Sequence, residues 1–266
     1  MPWAGAWLVL LSSGLHVSWN ALLKIRPSLV ALGQGMVATG IVGVAVALAF
    51  GERIGPGGWV FLLASATIHI AYYLLLNRGY QLADLSAIYP LARGLGVAVM
   101  PLAVAVLLGV ATPVAAWIGI LVVGTGSVLM AKGERIGAIW PALTLGAVIA
   151  AYSLTDSQGV HLTPPILYMS TASIITGTAL LATQGRRAWA LGQLAAGSLI
   201  GGLSLVGYLF MLAAYQIMPV ASALALRQLA IPMALIWAWR QKEAIGRRRV
   251  LAAGMIVLGA VVIALG

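Results

Sequence analysis

The sequence predicts an all-α membrane protein of ten transmembrane helices, on three observations. Of the 266 residues, 62% are hydrophobic and 8% are charged, a composition that leaves no room for a sizeable soluble domain. Apolar runs follow one another from Trp3 to Leu265, and about 18 apolar residues in a helix cross a bilayer. The runs lack the alternation of barrel strands, so helices must satisfy the backbone hydrogen bonds in lipid.

Charged residues and turn formers delimit five apolar segments in the first half of the chain. The predicted spans are 3–23, which Lys24 ends; 29–50, before Glu52 and Arg53; 59–77, between Gly55-Pro56-Gly57-Gly58 and Arg78; 85–107, after Asp84; and 114–131, before Lys132. The first span has no basic leader and contains His16 and Asn20. We therefore expect it to be retained as a helix and not cleaved as a signal peptide.

The second half divides in the same way into five further spans. They are predicted at 138–155; at 164–183, opened by Thr163-Pro164-Pro165; at 190–212, after Arg186 and Arg187; at 217–239, ended by Arg240; and at 248–265, after Arg247. Most of the polar gaps between spans are only a few residues long. The second half therefore also consists almost entirely of membrane helices.

The basic residues predict the orientation in the membrane. The formal net charge is +10, and 12 of the 15 Lys and Arg residues fall in odd-numbered loops. By the positive-inside rule these loops face the cytoplasm, in what we expect to be the inner (cell) membrane of a bacterium. The cations are too dispersed for a nucleic-acid interface, and the lack of cysteine excludes disulfides and thiolate metal sites.

A shift of the chain by 135 residues reveals an internal repeat. It superposes two patterns, Tyr-x6-Tyr-Gln and Gly-x4-Gly, at Tyr73/Tyr208, Tyr80/Tyr215, Gln81/Gln216, Gly119/Gly254 and Gly124/Gly259. Residues 1–135 and 136–266 are therefore predicted to form two five-helix repeats. An odd number of spans gives the repeats opposite orientations, and inverted repeats of this kind surround a central cavity with a midplane binding site.

Several segments resemble a known family. They are His16-Val17-Ser18-Trp19-Asn20 in span 1, Tyr89-Pro90-Leu91-Ala92-Arg93-Gly94 in span 4, Ala151-Tyr152-Ser153-Leu154-Thr155-Asp156 in span 6 and Arg227-Gln228 in span 9. Over nearly its whole length the chain resembles the EamA-type members of the drug/metabolite transporter (DMT) superfamily. The resemblance implies transport, often export, of amino acids or related small metabolites through a central cavity. At Gln228 the chain departs from the family, which frequently has Glu there.

Arg93 and Arg227 are the strongest candidates for substrate contacts. Each lies about 10 residues from the predicted start of its helix, or about 15 Å deep, near the bilayer midplane. Ionisable groups at that depth cost roughly 2.5–3.5 kcal/mol and usually face a cavity or the bundle interior. A guanidinium there would bind a carboxylate or phosphonate group. Alternatively, both arginines would bind opened helix carbonyls or Asp156 and hold helices together.

Span 1 carries three further candidates. His16 and Asn20 are four residues apart and so share a helix face, and Trp19 lies inward of Lys24 as part of a cavity wall. His16 would contact the substrate or carry a proton, because histidine changes charge near neutral pH. Alternatively, it would bind a neighbouring helix as a neutral ring. Asn20 would help to set selectivity.

Aromatic side chains predict the walls of the cavity. Span 3 contributes His69 and Tyr73, span 4 Tyr89, span 6 Tyr152 and span 8 Tyr208. Aromatic walls with a few hydroxyl groups are typical of pockets for amphipathic metabolites. The alternative is that these residues pack helix against helix through their hydroxyl groups.

Asp156, at the outer end of span 6, is the acidic residue predicted to lie at a span. It would bind a substrate ammonium group or carry a coupling proton, or else it would be a surface residue at the membrane edge. Gln228, which follows Arg227, would tune selectivity. These residues complete the predicted substrate site.

No motif for chemistry accompanies this site, and we expect a transporter and not an enzyme. The sequence has no phosphate-binding loop, no cluster of metal ligands and no nucleophile–base pair, so neither a cofactor nor a metal is expected. We predict a secondary active or facilitative transporter that exports amino acids or related carboxylate or phosphonate compounds. Its partners would be the small-molecule substrate and membrane lipid, and a monomer would suffice. Two alternatives remain open: a multidrug or organic-cation exporter, and an intramembrane enzyme or lipid-handling scaffold.

Overall fold

The computed structural model describes residues 2–25, 28–109, 111, 113–134, 136–189 and 191–265. Arg26 and Arg135, two of the cations that predict the orientation, lie outside these ranges. Helices make up 87% of the structure, and the described ranges contain no strand. The all-α prediction is therefore confirmed.

Within the described ranges, eleven α-helices account for ten membrane-length segments. They are α1 (Pro2–Ile25), α2 (Leu29–Ala49), α3 (Gly58–Leu82), α4 (Leu85–Leu108), α5 (Val114–Ala131), α6 (Ile136–Gly159), α7 (Pro165–Ala182), α8 (Leu194–Tyr215), α9 (Val220–Leu226), α10 (Ala230–Arg240) and α11 (Arg247–Leu265). Each segment is 18–25 residues long and apolar enough to cross a membrane, and the ninth, Val220–Arg240, combines α9 and α10. All ten predicted spans are confirmed, with ends that differ by five residues at most.

The helices of the first half of the chain pack mainly against those of the second half. α2 packs on α7 and α5 on α11, while α1 packs on α8 and α3 on α6. α4 packs on α6, and α1 packs on α10. Side chains from α1, α3, α4, α6 and α8 and from the turn after α9 meet at the centre of the bundle.

Gly119 and Gly259 set the close approach of α5 to α11. A Cβ atom on Gly119 would lie 2.6 Å from the carbonyl oxygen of Gly259, and one on Gly259 would lie 2.7 Å from that of Gly119. Both distances are too short for any other residue at the present helix spacing. Gly124 and Gly254 have open space around them and take no part in this contact.

Prolines interrupt the helices beside both buried arginines. A 3-10 turn, Arg227–Leu229, separates α9 from α10. Pro232 has no N–H to donate to the carbonyl of Gln228, and its ring crowds that carbonyl. Pro90 lies inside α4, one turn before Arg93. Arg227 therefore lies where regular helical hydrogen bonding is interrupted, and Arg93 lies one turn after a proline that cannot donate a helical hydrogen bond.

Candidate functional site

The centre of the bundle is a closed cluster of aromatic side chains. Its small cavity is lined by His16, Trp19, His69, Tyr72, Tyr73, Tyr152, Met169, Ser204 and Tyr208. The rings contact one another, and His69 stacks on Tyr152 with 4.5 Å between ring centroids. The free space is about 10 Å³, close to the smallest volume that holds a water molecule. The site is therefore closed in this conformation.

Two buried arginines converge on His16. Nη1 of Arg93 lies 2.9 Å from Nε2 of His16, and Nη2 of Arg227 lies 2.9 Å from Nδ1 of the same ring. Arg93 is 2% exposed and Arg227 is 1% exposed. One imidazole thus joins α4, in the first half of the chain, to the turn after α9, in the second half.

The hydrogen bonds around His16 do not satisfy these arginines. A neutral imidazole has one acceptor nitrogen, so it can accept from only one of the two guanidinium groups, and a protonated ring can accept from neither. Nε and Nη2 of Arg93 and Nε and Nη1 of Arg227 have no hydrogen-bond partner. Both ion pairs found among the described residues involve Arg249 instead. The centre therefore holds two positive charges and no carboxylate within pairing distance of either.

Each guanidinium lies over an aromatic ring. The Cζ atom of Arg93 is 5.4 Å from the ring centroid of Tyr89, and the Cζ atom of Arg227 is 5.4 Å from that of Tyr208. Such contacts offset part of the cost of burying a cation. They do not supply acceptors for the unpaired N–H groups, which remain free for an anion.

Asp156 forms a second polar centre next to the aromatic cluster. Its side chain is fully buried, and it accepts hydrogen bonds from Tyr168 at 2.9 Å and from Tyr208 at 2.5 Å. The alternative that Asp156 is a surface residue at the membrane edge is wrong, because α6 continues to Gly159 and the carboxylate is buried in the bundle. Since the ring of Tyr208 also lies under Arg227, this tyrosine connects the two centres.

Asn20 and Gln228 are buried but do not line the cavity. The amide nitrogen of Asn20 donates to the carbonyl of His16, and its oxygen accepts from the hydroxyl of Tyr80 at 2.7 Å. The amide nitrogen of Gln228 donates to the carbonyl of Leu224 in its own segment. Asn20 therefore holds α1 to α3, and Gln228 supports the interrupted ninth span.

The other predicted site residues lie together. His16, Trp19, His69, Tyr73, Tyr152 and Tyr208 line the cavity, Tyr89 and the two arginines adjoin it, and Asp156 contacts it through Tyr208. Among the described residues, no group of three His, Asp or Glu side chains is placed to hold a metal ion. The arrangement suits binding of a charged organic molecule.

Sequence reasoning missed Tyr72 and Tyr168. Tyr72 lines the cavity beside Tyr73, although neighbouring helical residues point about 100° apart. Tyr168 reaches Asp156 because both residues lie close to the short connection between α6 and α7, each six residues from Leu162. Gly159 makes room, since a Cβ atom there would lie 2.5 Å from the ring of Tyr168. The shortness of this connection was the available signal.

A larger groove lies elsewhere on the molecule, between α1, α2 and α8. It encloses about 390 Å³ and is lined by Leu22, Ile25, Ser28, Ala31, Gly192, Gln193, Ala196, Leu199 and Ile200. None of these residues is charged. An apolar groove on the flank of a membrane helix bundle fits lipid chains better than a charged solute, so the central cluster is the stronger candidate site.

Comparison with known proteins supports the fold. No family model and no curated protein sequence matches the chain. A solved structure described as "Crystal structure of protein" superposes with a TM-score of 0.69 over 98% of this chain and 96% of that chain, at 19% sequence identity. At this identity the similarity shows a common fold and carries no information on substrate.

Proposed function

We propose that this protein is a transporter of the EamA type, which carries small metabolites with an anionic group through the centre of the bundle by alternating access. Amino acids and related carboxylate or phosphonate compounds are the proposed substrates, and export is the direction that the resemblance implies. Arg93 and Arg227 bind the anionic group. The aromatic cluster around His69, Tyr73 and Tyr208 encloses the rest of the molecule.

The charge of the centre carries the proposal. Two guanidinium groups are buried at His16, four of their nitrogens have no acceptor, and neither has a carboxylate partner among the described residues. Burying such charges is costly unless a partner neutralises them. Guanidinium groups bind the oxygens of carboxylates and phosphonates in pairs, so a substrate anion would supply the missing acceptors.

The helix pairings support two inverted repeats around this centre. Each helix in residues 1–135 has a counterpart in residues 136–266. When every helix is replaced by its counterpart, the contact of α1 with α8 becomes the contact of α6 with α3. The pairs α2–α7 and α5–α11 stay the same, because the two helices of each pair are counterparts of one another. Five spans in each half would give the halves opposite orientations. In transporters of that architecture a midplane site opens alternately to the two sides.

Both ends of the bundle carry contacts that alternating access would have to break in turn. At the end formed by odd-numbered loops, Arg249 binds the carboxylates of Asp84 and Glu134. At the other end, the amide of Gly55 donates to the carbonyl of Leu162 at 3.0 Å. A closed centre between two closed ends corresponds to an occluded intermediate.

A second candidate, export of organic cations, is favoured by Asp156. This carboxylate is buried behind aromatic rings, and aromatic cages with a nearby acid bind ammonium groups. The two guanidinium groups in the same cluster argue against this function, because they repel a cation. Binding of a large organic cation therefore distinguishes the two candidates.

Ligand-induced stabilisation of the purified protein in lipid nanodiscs tests the proposal. We expect at least one of L-alanine, L-glutamate and methylphosphonate to raise the Tm, and tetraphenylphosphonium to leave it unchanged. Arg93→Gln and Arg227→Gln should each remove the shift, whereas Arg240→Gln, at an exposed position, should retain it. The compound that binds should also exchange across proteoliposomes in a counterflow assay.

Two results would contradict anion transport. One is a Tm that none of the three anions raises in the wild-type protein. The other is an anion-induced shift that survives both central arginine substitutions, because the anion would then bind elsewhere. Stabilisation by tetraphenylphosphonium that Asp156→Asn removes would establish the organic-cation function instead.

A further inference from the structure

We propose that Asp156 is a proton-binding site inside the membrane, which takes its proton from the side of the even-numbered loops and gains it when an anion binds at Arg93 and Arg227. The proton site itself rests on the contacts of Asp156. Its linkage to the anion rests on the proposed function. The two parts are therefore tested separately below.

Asp156 is a buried acid without a cation. The described residues place no Lys, Arg or His within ion-pair distance of its carboxylate, and its two hydrogen bonds come from neutral tyrosine hydroxyls. A bare carboxylate in a membrane interior is costly, and such acids usually bind a cation or carry a proton. The adjoining aromatic cavity, which Asp156 contacts through Tyr208, has a free space of only about 10 Å³, too small for a hydrated metal ion.

The hydrogen bonds around Asp156 fit both protonation states. The hydroxyl of Tyr168 lies 2.9 Å from Oδ1 of Asp156 and 3.1 Å from the carbonyl oxygen of Phe61. When the carboxylate is ionised, the single hydroxyl proton of Tyr168 goes to Oδ1. When a proton binds Oδ1, the new O–H donates to Tyr168, and the hydroxyl of Tyr168 turns its proton to Phe61. No buried donor or acceptor loses its partner in either state.

The same contacts indicate where the proton enters. Phe61 lies in the first turn of α3 and Tyr168 in the first turn of α7, and both helices follow even-numbered loops. Tyr168 is buried, whereas Phe61 is partly exposed, so the series Asp156, Tyr168 and Phe61 runs outward from the core. By the predicted orientation, this is the side opposite the cytoplasm.

Tyr208 connects the proton site to the anion site. Its hydroxyl donates to Oδ2 of Asp156, and its ring lies 5.4 Å from Cζ of Arg227. The buried ionisable side chains of the helices that pack around Asp156 are Tyr152 on α6, His69, Tyr72, Tyr73 and Tyr80 on α3, Tyr89 and Arg93 on α4, Tyr168 on α7, Tyr208 and Tyr215 on α8, and Arg227 after α9. His16 on α1 contacts both arginines.

The charges of these groups set the sign of the linkage. The two guanidinium groups attract the carboxylate of Asp156, since charges of opposite sign attract each other. An anion bound to the arginines cancels that attraction and adds a repulsive negative charge. Binding of the anion therefore favours protonation of Asp156, and the proton and anion bind together. The proton and the anion would then cross together, so a proton gradient directed into the cell would favour uptake of the anion, opposite to the direction that the resemblance implies.

Infrared difference spectroscopy of the full-length protein in nanodiscs tests the proton site without a substrate. On acidification, we expect the C=O band of a buried protonated carboxyl group to appear in the wild type. Asp156→Asn should abolish this band, and Asp84→Asn, the matched change at a half-exposed aspartate, should leave it in place. A band that persists in Asp156→Asn, or no band in the wild type over the pH range in which it stays folded, would overturn the proposal.

Tyr168→Phe provides a second variant in case Asp156→Asn does not fold. Without the hydroxyl of Tyr168, the protonated carboxyl loses its acceptor, so the C=O band should move to higher frequency and exchange with D2O more slowly. An unchanged band and exchange rate would refute the pathway through Tyr168. A loss of packing alone would admit water, which lowers the frequency and speeds the exchange, the opposite of both expected changes.

Methylphosphonate is the probe for the linkage. At a pH where the band is half developed, its addition should increase the band in the wild type, and Arg93→Gln should remove the increase while it retains the band itself. If methylphosphonate raises the Tm without increasing the band, the linkage is wrong although anions bind. A normal acid-induced band together with no response to any anion would instead contradict the proposed function and leave the proton site supported.

Discussion

Arg249 and the pair Arg93 and Arg227 show two opposite ways to place arginine in this bundle. Arg249, at the start of α11, binds Asp84 at 3.1 Å, Glu134 at 2.7 Å and the hydroxyl of Ser86 at 2.7 Å. It thereby joins three odd-numbered connections at the end of the bundle. The two central arginines share one imidazole and have no carboxylate partner.

The two kinds of arginine differ in the number of hydrogen-bond acceptors that the chain provides for them. An arginine that holds helices together is surrounded by acceptors from the chain, as Arg249 is. The central pair retains four nitrogens without acceptors in spite of nearly complete burial, a state that costs stability unless a ligand relieves it.

The largest expected change in stability comes from placing a carboxylate of the chain itself between the two central arginines. His16→Glu would place a carboxylate between Arg93 and Arg227, where charge-assisted hydrogen bonds contribute about 2–3 kcal/mol. The free energy of unfolding should rise, and the stabilisation by added anions should disappear. Thermal and denaturant unfolding in detergent measures both effects. His161→Glu, at an exposed position, is the control, and a destabilised His16→Glu protein would count against an anion site.

Removing Arg249, the arginine with carboxylate partners, should have the next largest effect on stability. Arg249→Met leaves Asp84 and Glu134 without their cation and frees the hydroxyl of Ser86, so we expect a loss of about 2 kcal/mol in the free energy of unfolding. The same unfolding assay measures it. Arg240→Met, in which an exposed cation is lost, should change stability by less than about 0.5 kcal/mol. Equal effects for the two variants would show that the Arg249 network contributes nothing specific.

Removing Arg93, which has no carboxylate partner, should change stability only slightly and in the opposite direction. Arg93→Met replaces a buried, poorly satisfied charge with an apolar side chain of similar length, a change that is often neutral or stabilising by about 1 kcal/mol. Unfolding without added anions should therefore occur at an equal or higher Tm, while the response to anions is lost. A loss as large as that of Arg249→Met would indicate that Arg93 is a structural residue.

The smallest effect is expected at Glu243, which caps α4 beside the Arg249 network. Its carboxylate accepts from the backbone N–H groups of Leu85 and Ser86 at 3.2 Å and 3.0 Å. Glu243→Gln keeps one acceptor but removes the charge that interacts with the helix dipole, so we expect a loss of about 0.3–1 kcal/mol. The loss should shrink at high salt, and a salt-independent change would exclude the dipole as its cause.

The sequence was most informative about the site at residues whose charge departs from the apolar pattern around them. A charge in an apolar run has few structural uses, so Arg93 and Arg227 could be identified as interior residues from their place in the sequence. Asp156, at the predicted end of its helix, stayed open between the interior and the membrane edge. The roles of Asn20 and Gln228 could not be predicted in this way. Their amides are polar like those of ligand contacts, yet the amide of Asn20 is occupied by His16 and Tyr80, and the amide nitrogen of Gln228 donates to Leu224. The amide oxygen of Gln228 is buried without a partner.

Hydropathy along the chain is enough to predict the ten spans, because the hydrophobic effect and the thickness of the bilayer act on each segment independently of the others. The same pattern marks Arg93 and Arg227 as charges within spans. The meeting of the two arginines at His16, and the binding of Asp156 by Tyr168 and Tyr208, follow from the packing of the helices. These contacts join residues from different helices, and their geometry depends on how close the helices approach, which glycines such as Gly159 set through packing and not through hydropathy.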